Sequence, residues 1–277
     1  MRFIADLHIH SKYSRATSPG MEAGTLARWA KKKGIGLIGT GDFTHPVYFS
    51  SLKAQLEPVG NGFFQLKGEG DSVHFILTAE VSNIFSQGGR LRKIHNLIFA
   101  PSFEVVEKIN ARLGSLGKLA SDGRPIFGLP ARDLVKMVMD ISLDCFIVPA
   151  HAWTPWFSVF GANSGFDSIE ECFGDEARHI YAIETGLSSN PEMNWRCSSL
   201  DRITLISNSD AHSPGKIGRE ANLFDCELSY YDVLDTIRKK DKKRFLSTIE
   251  FFPEEGKYHY DGHRECDISL SSGETKI

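Results

Sequence analysis

Met1-Arg2-Phe3-Ile4-Ala5-Asp6-Leu7-His8-Ile9-His10 opens the chain and reads as a short buried strand with two imidazoles at its exit. Phe3, Ile4 and Leu7 supply the apolar body. His8 and His10 stand two residues apart, so in extended backbone both rings project to one side. Two imidazoles converging at a strand end make half of a metal site, and imidazole suits zinc, iron and manganese alike.

The arrangement recurs downstream. Residues 35–40 form a short apolar run that ends in Gly41-Asp42-Phe43-Thr44-His45-Pro46. Residues 74–78 lead into Ala79-Glu80-Val81-Ser82, and His95 opens the run Asn96-Leu97-Ile98-Phe99-Ala100. Residues 145–148 run to Pro149-Ala150-His151, 180–183 to Glu184, and 203–206 to Ser207-Asn208-Ser209-Asp210-Ala211-His212. Helical spacing marks 21–33, 103–113, 131–141 and 231–240, and Ser18-Pro19 and Gly34 read as start and stop of the first. A closing strand is expected over 245–249. Strands alternating with helices predict parallel βα units in an α/β barrel, whose functional groups collect at the carboxyl ends of the strands. Apolar periodicity gives way to polar sequence near Tyr258, which divides the chain into a barrel over 1–257 and an extension over 258–277.

The net charge of −3 carries no bulk signature of nucleic-acid binding. The local cluster Arg238, Lys239, Lys240, Lys242, Lys243 and Arg244 reads as the solvated end of a helix. Five scattered cysteines (Cys145, Cys172, Cys197, Cys226, Cys266) without a C-x-x-C pair argue for a reducing compartment and against a disulfide framework. No signal-peptide pattern opens the chain, and no apolar run nears the roughly 18 residues that span a membrane. A cytoplasmic protein is the expectation.

As a set in this order, His8-x-His10, Glu80, His95, Pro149-Ala150-His151 and Asp210-Ala211-His212 resemble the PHP family, named for polymerases and histidinol phosphatases. The resemblance runs over essentially the whole of 1–257. Three stretches are similar in more detail to its endonuclease Q branch: Ala5-Asp6-Leu7-His8-Ile9-His10-Ser11-Lys12-Tyr13-Ser14-Arg15-Ala16-Thr17-Ser18, Gly39-Thr40-Gly41-Asp42-Phe43-Thr44-His45-Pro46, and Asn208-Ser209-Asp210-Ala211-His212-Ser213-Pro214. It implies a distorted seven-stranded (β/α)7 barrel and a metal-dependent phosphodiesterase, an endodeoxyribonuclease that nicks DNA 5′ of deaminated bases such as hypoxanthine and uracil, or of abasic sites.

The resemblance also implies the ligands. His8, His10, Asp210 and Glu80 would hold one metal and form the catalytic core, and Glu80 would bridge to a second held by His95 and His151. One carboxylate can do this because its two oxygens reach two cations. His212 would serve a third. Zinc is the expected ion, two or three of them, with manganese or iron as alternatives of the same donor chemistry. DNA with damaged bases and a sliding clamp are the implied partners, and a membrane is not. A small-molecule phosphatase of the histidinol-phosphatase type, or a barrel that keeps metal or DNA binding alone, are the rival readings.

The chain departs from the family pattern at Ala16, where an acid or histidine is usual, and at Phe43, where histidine is usual. A third site would then be rebuilt on Asp42, with His45 the less favoured addition, or be weak or empty. The stretch His151-Ala152-Trp153-Thr154-Pro155-Trp156-Phe157-Ser158-Val159-Phe160 is either a stacking platform for nucleobases, through Trp153 and Trp156, or a hydrophobic lid. Arg15, Lys216 and Arg219 are candidate phosphate contacts, with solvated loop charges as the alternative. Glu184 either contacts substrate or orients a ligand, or else caps a helix or bonds its own loop, and His74, His179, His259 and His263 are structural or exposed. Cys266 stands where endonuclease Q relatives begin a zinc-binding module, but no further cysteine follows it, so that module is expected to be absent from this chain.

Overall fold

The computed structural model describes residues 1–277 apart from 69, 71, 72, 257, 264–267, 271–273 and 275–277, so Cys266 lies outside the described residues. β1 (Arg2–Asp6) leads into α1 (Ala23–Lys33), which buries Leu26, Ala27 and Ala30 at helical spacing and stops at Gly34, φ 73°. The helix starts five residues after Ser18. The Ser18 hydroxyl instead accepts from Gly20 N at 3.2 Å, so the Ser18-Pro19 signal belongs to a turn. β2 (Ile35–Gly39) lies parallel to β1. α2 (Pro46–Gln55) begins behind His45, whose side chain accepts from Tyr48 N and so caps the helix.

β3 (Leu56–Pro58) and β4 (Phe64–Leu66) form a small antiparallel flap against β5 (His74–Gln87). β5 pairs with β6 (Arg90–Ala100) in a long antiparallel hairpin, in register from Leu77↔Ala100 to Gln87↔Arg90. Gly88 and Gly89 close it at φ 61° and 71°, the left-handed pair that a two-residue hairpin turn demands. Here the expectation of parallel βα units fails, and Glu80 and His95 lie within the hairpin instead of at strand ends.

Beyond it come α3 (Phe103–Gly114), β7 (Ile126–Phe127), α4 (Ala131–Ile141), β8 (Phe146–Pro149), α5 (Ile169–Phe173) and β9 (Ala182–Glu184). α6 (Pro191–Asn194), β10 (Thr204–Ile206), β11 (Ala221–Asp225), α7 (Tyr230–Arg238) and β12 (Phe245–Ile249) complete the α/β unit. β12, β11, β1, β2 and β5 lie in that order across the sheet, with β11 antiparallel to both its neighbours. β6 joins β5 to β8, and β9 pairs with β10 in parallel. Two isolated parallel bridges, Ile147↔Ile180 and Ile9↔Ala211, carry the strands from β8 toward β9 and from β10 back to β1. The fold is thus mixed α/β, with its strands brought around a common centre.

Alternation along the strands divides the apolar residues. Ala5, Leu7, Leu37, Ile76, Leu97, Phe99, Val148 and Ile206 pack together in one cluster, while their neighbours pack with the helices in another. The basic cluster after α7 is largely engaged in the fold. Arg244 pairs with Asp232, Asp235 and Asp241 at 2.6–3.2 Å, and Lys240 Nζ caps the carbonyls of Asp201 and Ile203. Among the described residues no helix is long and apolar enough to cross a membrane.

The backbone after β2 rests directly on the histidine segment. Gly41 has φ 65°, and a Cβ there would sit 2.3 Å from the Ile9 carbonyl oxygen. Gly34 has a similar φ with nothing within 4 Å. Gly41→Ala should therefore cost about 3 kcal/mol or more, combining left-handed strain with overpacking. Gly34→Ala should cost only the strain, about 1–2 kcal/mol. Urea unfolding of the two variants measures the difference, and equal costs would contradict the close approach.

Candidate metal centre

The histidine segment is fixed by backbone bonds before any ligand is considered. Leu7 N donates to Asn208 Oδ1 at 2.8 Å, and His10 N donates to Ala211 O at 3.0 Å. Asp6 accepts from Ser209 N and Gly218 N at 3.0 and 2.7 Å, and burial pushes its carboxyl up to about 6. Asp42, His151 and Asp210 all adopt left-handed backbone (φ 49°, 31° and 46°), which costs a non-glycine residue on the order of 1–3 kcal/mol. Each follows a strand end, and the turn aims its side chain inward.

Glu80 is the hub. Its Oε1 lies 2.8 Å from His95 Nδ1 and 3.1 Å from His151 Nε2. Its Oε2 lies 3.2 Å from His10 Nε2, 3.7 Å from His8 Nε2 and 3.0 Å from Arg124 Nη1. Asp210 Oδ1 completes the second side, 3.0 Å from His10 Nε2 and 3.8 Å from His8 Nε2. His8 Nε2, His10 Nε2 and Asp210 Oδ1 are buried atoms without a hydrogen-bond partner among the described residues, and they face one another. Buried polar atoms seldom stay unpaired, so converging orphans of this chemistry fit a cation. Three groups have the required spacing: His8, His10 and Glu80; Glu80, His95 and His151; and His10, Asp210 and His212.

Residues behind the cluster set the rings. Glu184 takes His8 Nδ1 at 3.0 Å on both oxygens, and also accepts from His151 N and Asn208 Nδ2 at 3.0 and 2.8 Å. Asp42 Oδ1 takes His10 Nδ1 at 3.0 Å. Thr154 Oγ1 lies 3.1 Å from His151 Nδ1, and the Asp210 carbonyl takes His212 Nδ1 at 2.9 Å. An Nδ1 so engaged leaves Nε2 as the inward lone pair, the arrangement by which second residues orient metal-binding imidazoles. The expectation of Asp42 as a ligand gives way here. Its other oxygen accepts from Ser11 N, Ser11 Oγ and Ser14 Oγ at 2.5–2.9 Å, so the carboxylate is saturated behind His10. Phe43 is buried in the core, and the His45 side chain stays at its helix cap.

Charge follows this geometry. Burial works against a protonated His8, yet the carboxylates of Glu184 and Glu80 hold its proton well above the ordinary imidazole range. Asp42 and Asp210 do the same for His10 against its burial, and Glu80 raises His151 against its burial. At His95 burial wins and pushes the ring down to about 4. Burial would raise Glu80, but His95, Arg124 and His8 hold it well below the usual carboxylate range. The carboxylates thus demand positive charge at their centre, which protons or cations can meet.

The candidate substrate contacts are scattered. Trp153 is half-buried, with its indole N–H on Asn194 Oδ1 at 2.8 Å and its ring on Phe160, which is a lid residue's packing. Trp156 is exposed at the mouth of a 610 Å³ cleft lined also by Lys93, His95, His151, Phe157 and Tyr258, with Lys93 Nζ 4.8 Å from its ring centre. Arg15 and Lys216 are exposed, whereas Arg219 braces the Ser209 and Asp210 carbonyls. Arg124 was not anticipated. A lone arginine in a loop carries no spacing signal.

No family model matches the sequence. It is 30% identical to the uncharacterised protein YqxK of Bacillus subtilis strain 168, over 99% of this chain and 72% of that one. Its structure matches the crystal structure of the lesion-specific endonuclease PfuEndoQ from Pyrococcus furiosus with TM-score 0.84 and 32% identity, over 99% of this chain and 65% of that one. It matches endonuclease Q, crystallised with a 27-mer duplex bearing an abasic lesion at the active site, with TM-score 0.85 and 31% identity over 66% of that chain. The chain therefore spans just under two thirds of the endonuclease Q chains it resembles.

His10→Ala should remove the cation that His10 Nε2 would share with Glu80 and Asp210. Glu184→Gln should weaken binding about 10–100-fold by loosening the His8 ring. Because raised imidazole pKa values let protons compete from above pH 6.5, metal loading should be lower at pH 6 than at pH 8. Equilibrium dialysis with elemental analysis tests all three, and retention of full loading by His10→Ala would contradict the ligand set.

Proposed function

Since this chain belongs to the PHP family, in the branch of YqxK and endonuclease Q, we propose that it is a metal-dependent DNA endonuclease. In this reading it nicks the phosphodiester 5′ of a deaminated base (hypoxanthine or uracil) or an abasic site, in DNA repair. The observation that carries it is Glu80, whose two oxygens face two separate groups of imidazoles across a set of orphaned buried atoms.

His8, His10, Glu80 and Asp210 would hold one cation, and Glu80, His95 and His151 a second. His212 has its Nε2 available beside them. Divalent cations bound there supply Lewis acidity toward a phosphodiester at both its entering and leaving oxygens. Zinc is the proposed ion, and manganese or iron satisfies the same donors. The chain's own residues do the rest. Glu184 and Asp42 hold the rings of His8 and His10 in place, so no reorganisation is needed when substrate arrives.

The cleft beside His95 and His151 accepts the nucleotide. Trp156, Phe157 and Leu187 give it apolar walls on which a base stacks, and Lys93 lies over the two aromatic rings. Exposed Arg15 and Lys216 track the flanking phosphates. Residues 1–257 form the catalytic unit in this proposal, with 258–277 leading into an extension. Cys145, Cys172, Cys197 and Cys226 are free thiols, which supports a reducing, cytoplasmic setting. The sliding-clamp partner has no support among the described residues.

Labelled duplexes carrying one deoxyinosine, deoxyuridine or abasic site, incubated with zinc or manganese, should be cut once on the 5′ side of the lesion. His10→Ala and Asp210→Ala should each lower the rate by more than the roughly 100-fold that a supporting residue is worth. Trp156→Ala should weaken lesion-strand binding by about 1–3 kcal/mol, the value of one stacked base. Metal-loaded protein that leaves every duplex intact but releases phosphate from monoesters would overturn the nuclease reading.

A further inference from the structure

Arg124 reaches the cluster from a loop clamped over the Asp42 end of the site. Gly123 N donates to Tyr13 O at 3.0 Å, Thr44 Oγ1 to Gly123 O at 3.1 Å, and Ser82 N to Pro125 O at 3.0 Å. The loop has no slack, for a Cβ on Gly123 would sit 2.4 Å from both Asp42 Oδ2 and Ser14 Oγ. So held, Arg124 gives Nη1 to Glu80 Oε2 at 3.0 Å, the oxygen that also faces His10 Nε2 at 3.2 Å. Its guanidinium makes no second side-chain bond among the described residues, and its side chain keeps 27% of its exposure.

The charge of the loaded site gives that fork a purpose. His10 has a single inward nitrogen, because Asp42 holds Nδ1, so the His8–His10–Glu80 and His10–Asp210–His212 groups compete for it. The converging ligands thus suit two cations. Among the described residues, Glu80, Asp210, Asp42 and Glu184 are the four carboxylates within ion-pair distance of His8 or His10, and together they would balance two divalent cations. Among the described residues, Arg124 is the one lysine or arginine within ion-pair distance of any of them. It leaves an excess of one positive charge, and a bridging phosphodiester carries one negative charge. A guanidinium has five donors in a planar fork that suits phosphate oxygens, and Glu80 takes only one.

We propose that Arg124 binds a non-bridging oxygen of the scissile phosphate, through the donors that Glu80 leaves free. This assignment rests on the phosphodiesterase reading of the same site. Cations held by Glu80 would draw on its charge and loosen its hold on the guanidinium. Arg124 is then both a tether for Glu80 and a contact to substrate, and the two roles respond differently to substitution.

The test uses the full chain loaded with zinc or manganese and inorganic phosphate as the probe. Cation number is read by elemental analysis, phosphate affinity by calorimetry, and nicking on a lesion duplex as kcat and KM. Arg124→Ala should keep both cations, lose phosphate affinity at least tenfold, and lose most of its nicking rate, with partial recovery in Arg124→Lys. Should the alanine variant fold poorly, Arg124→Gln keeps part of the aliphatic stem and a polar end without the charge, and carries the same comparison. Loss of cations together with phosphate would show that Arg124 only steadies Glu80, and unchanged phosphate affinity would equally overturn the proposal. If wild-type protein cuts DNA while Arg124→Ala binds phosphate normally, only this assignment fails. Wild-type protein that holds cations but neither binds phosphate nor cuts DNA would overturn the nuclease reading itself.

Discussion

Glu80 is a carboxylate at 1% exposure, and the site is arranged around the cost of burying it. An unpaired charge in the interior costs several kcal/mol, and Glu80 avoids this with His8, His10, His95, His151 and Arg124 all within 3.7 Å. Those partners come from the exit of β1, from β6, from the exit of β8 and from the loop before β7. The long β5–β6 hairpin has to place Glu80 in mid-strand for both of its oxygens to meet imidazoles. The same concentration of buried charge that would destabilise an unpaired core suits the chain to divalent cations.

A second layer of hydrogen bonds keeps the first in register. Asn222 Nδ2 donates to Asn208 Oδ1 at 2.9 Å, Asn208 Nδ2 donates to Glu184 at 2.8 Å, and Glu184 takes His8 Nδ1 at 3.0 Å. One polar chain therefore runs from β11 to the metal-facing ring, and its buried members gain strength from one another. The left-handed turns at Asp42, His151 and Asp210 are each held by bonds of this kind: Asp42 to Ser11 and His10, His151 N to Glu184, and the Asp210 carbonyl to His212 Nδ1. On the proposed function, this rigidity is what aims the ligand atoms before substrate binds.

Much of this was legible in the sequence, and for physical reasons. The helix over 131–141 was read at its observed bounds because Leu134, Val135, Val138 and Met139 keep one stripe against the core. The strands ending near Thr40, His151, Glu184 and Asp210 were read because each is a short apolar run that stops at polar residues. The hairpin was missed although Gly88-Gly89 announces it, because Glu80 and His95 interrupt the apolar pattern of a buried strand. Asp42 was read as a ligand because ligating and orienting carboxylates look alike in one dimension. Only the contacts with Ser11 and Ser14 distinguish them. Trp153 and Trp156 were indistinguishable in sequence, yet one is pinned to Asn194 and the other opens on the cleft. Arg124 and the β11 strand depend on long-range packing that no local spacing records.

The central claim is that Glu80 joins two cation positions into one site, and counting bound metal in wild-type protein and Glu80→Ala tests it most directly. The account predicts two divalent cations per chain in the wild type and, with the folded state preserved, the loss or severe weakening of both in the variant. Undiminished binding of two cations by Glu80→Ala, or a wild-type chain that binds none at neutral pH, would contradict it.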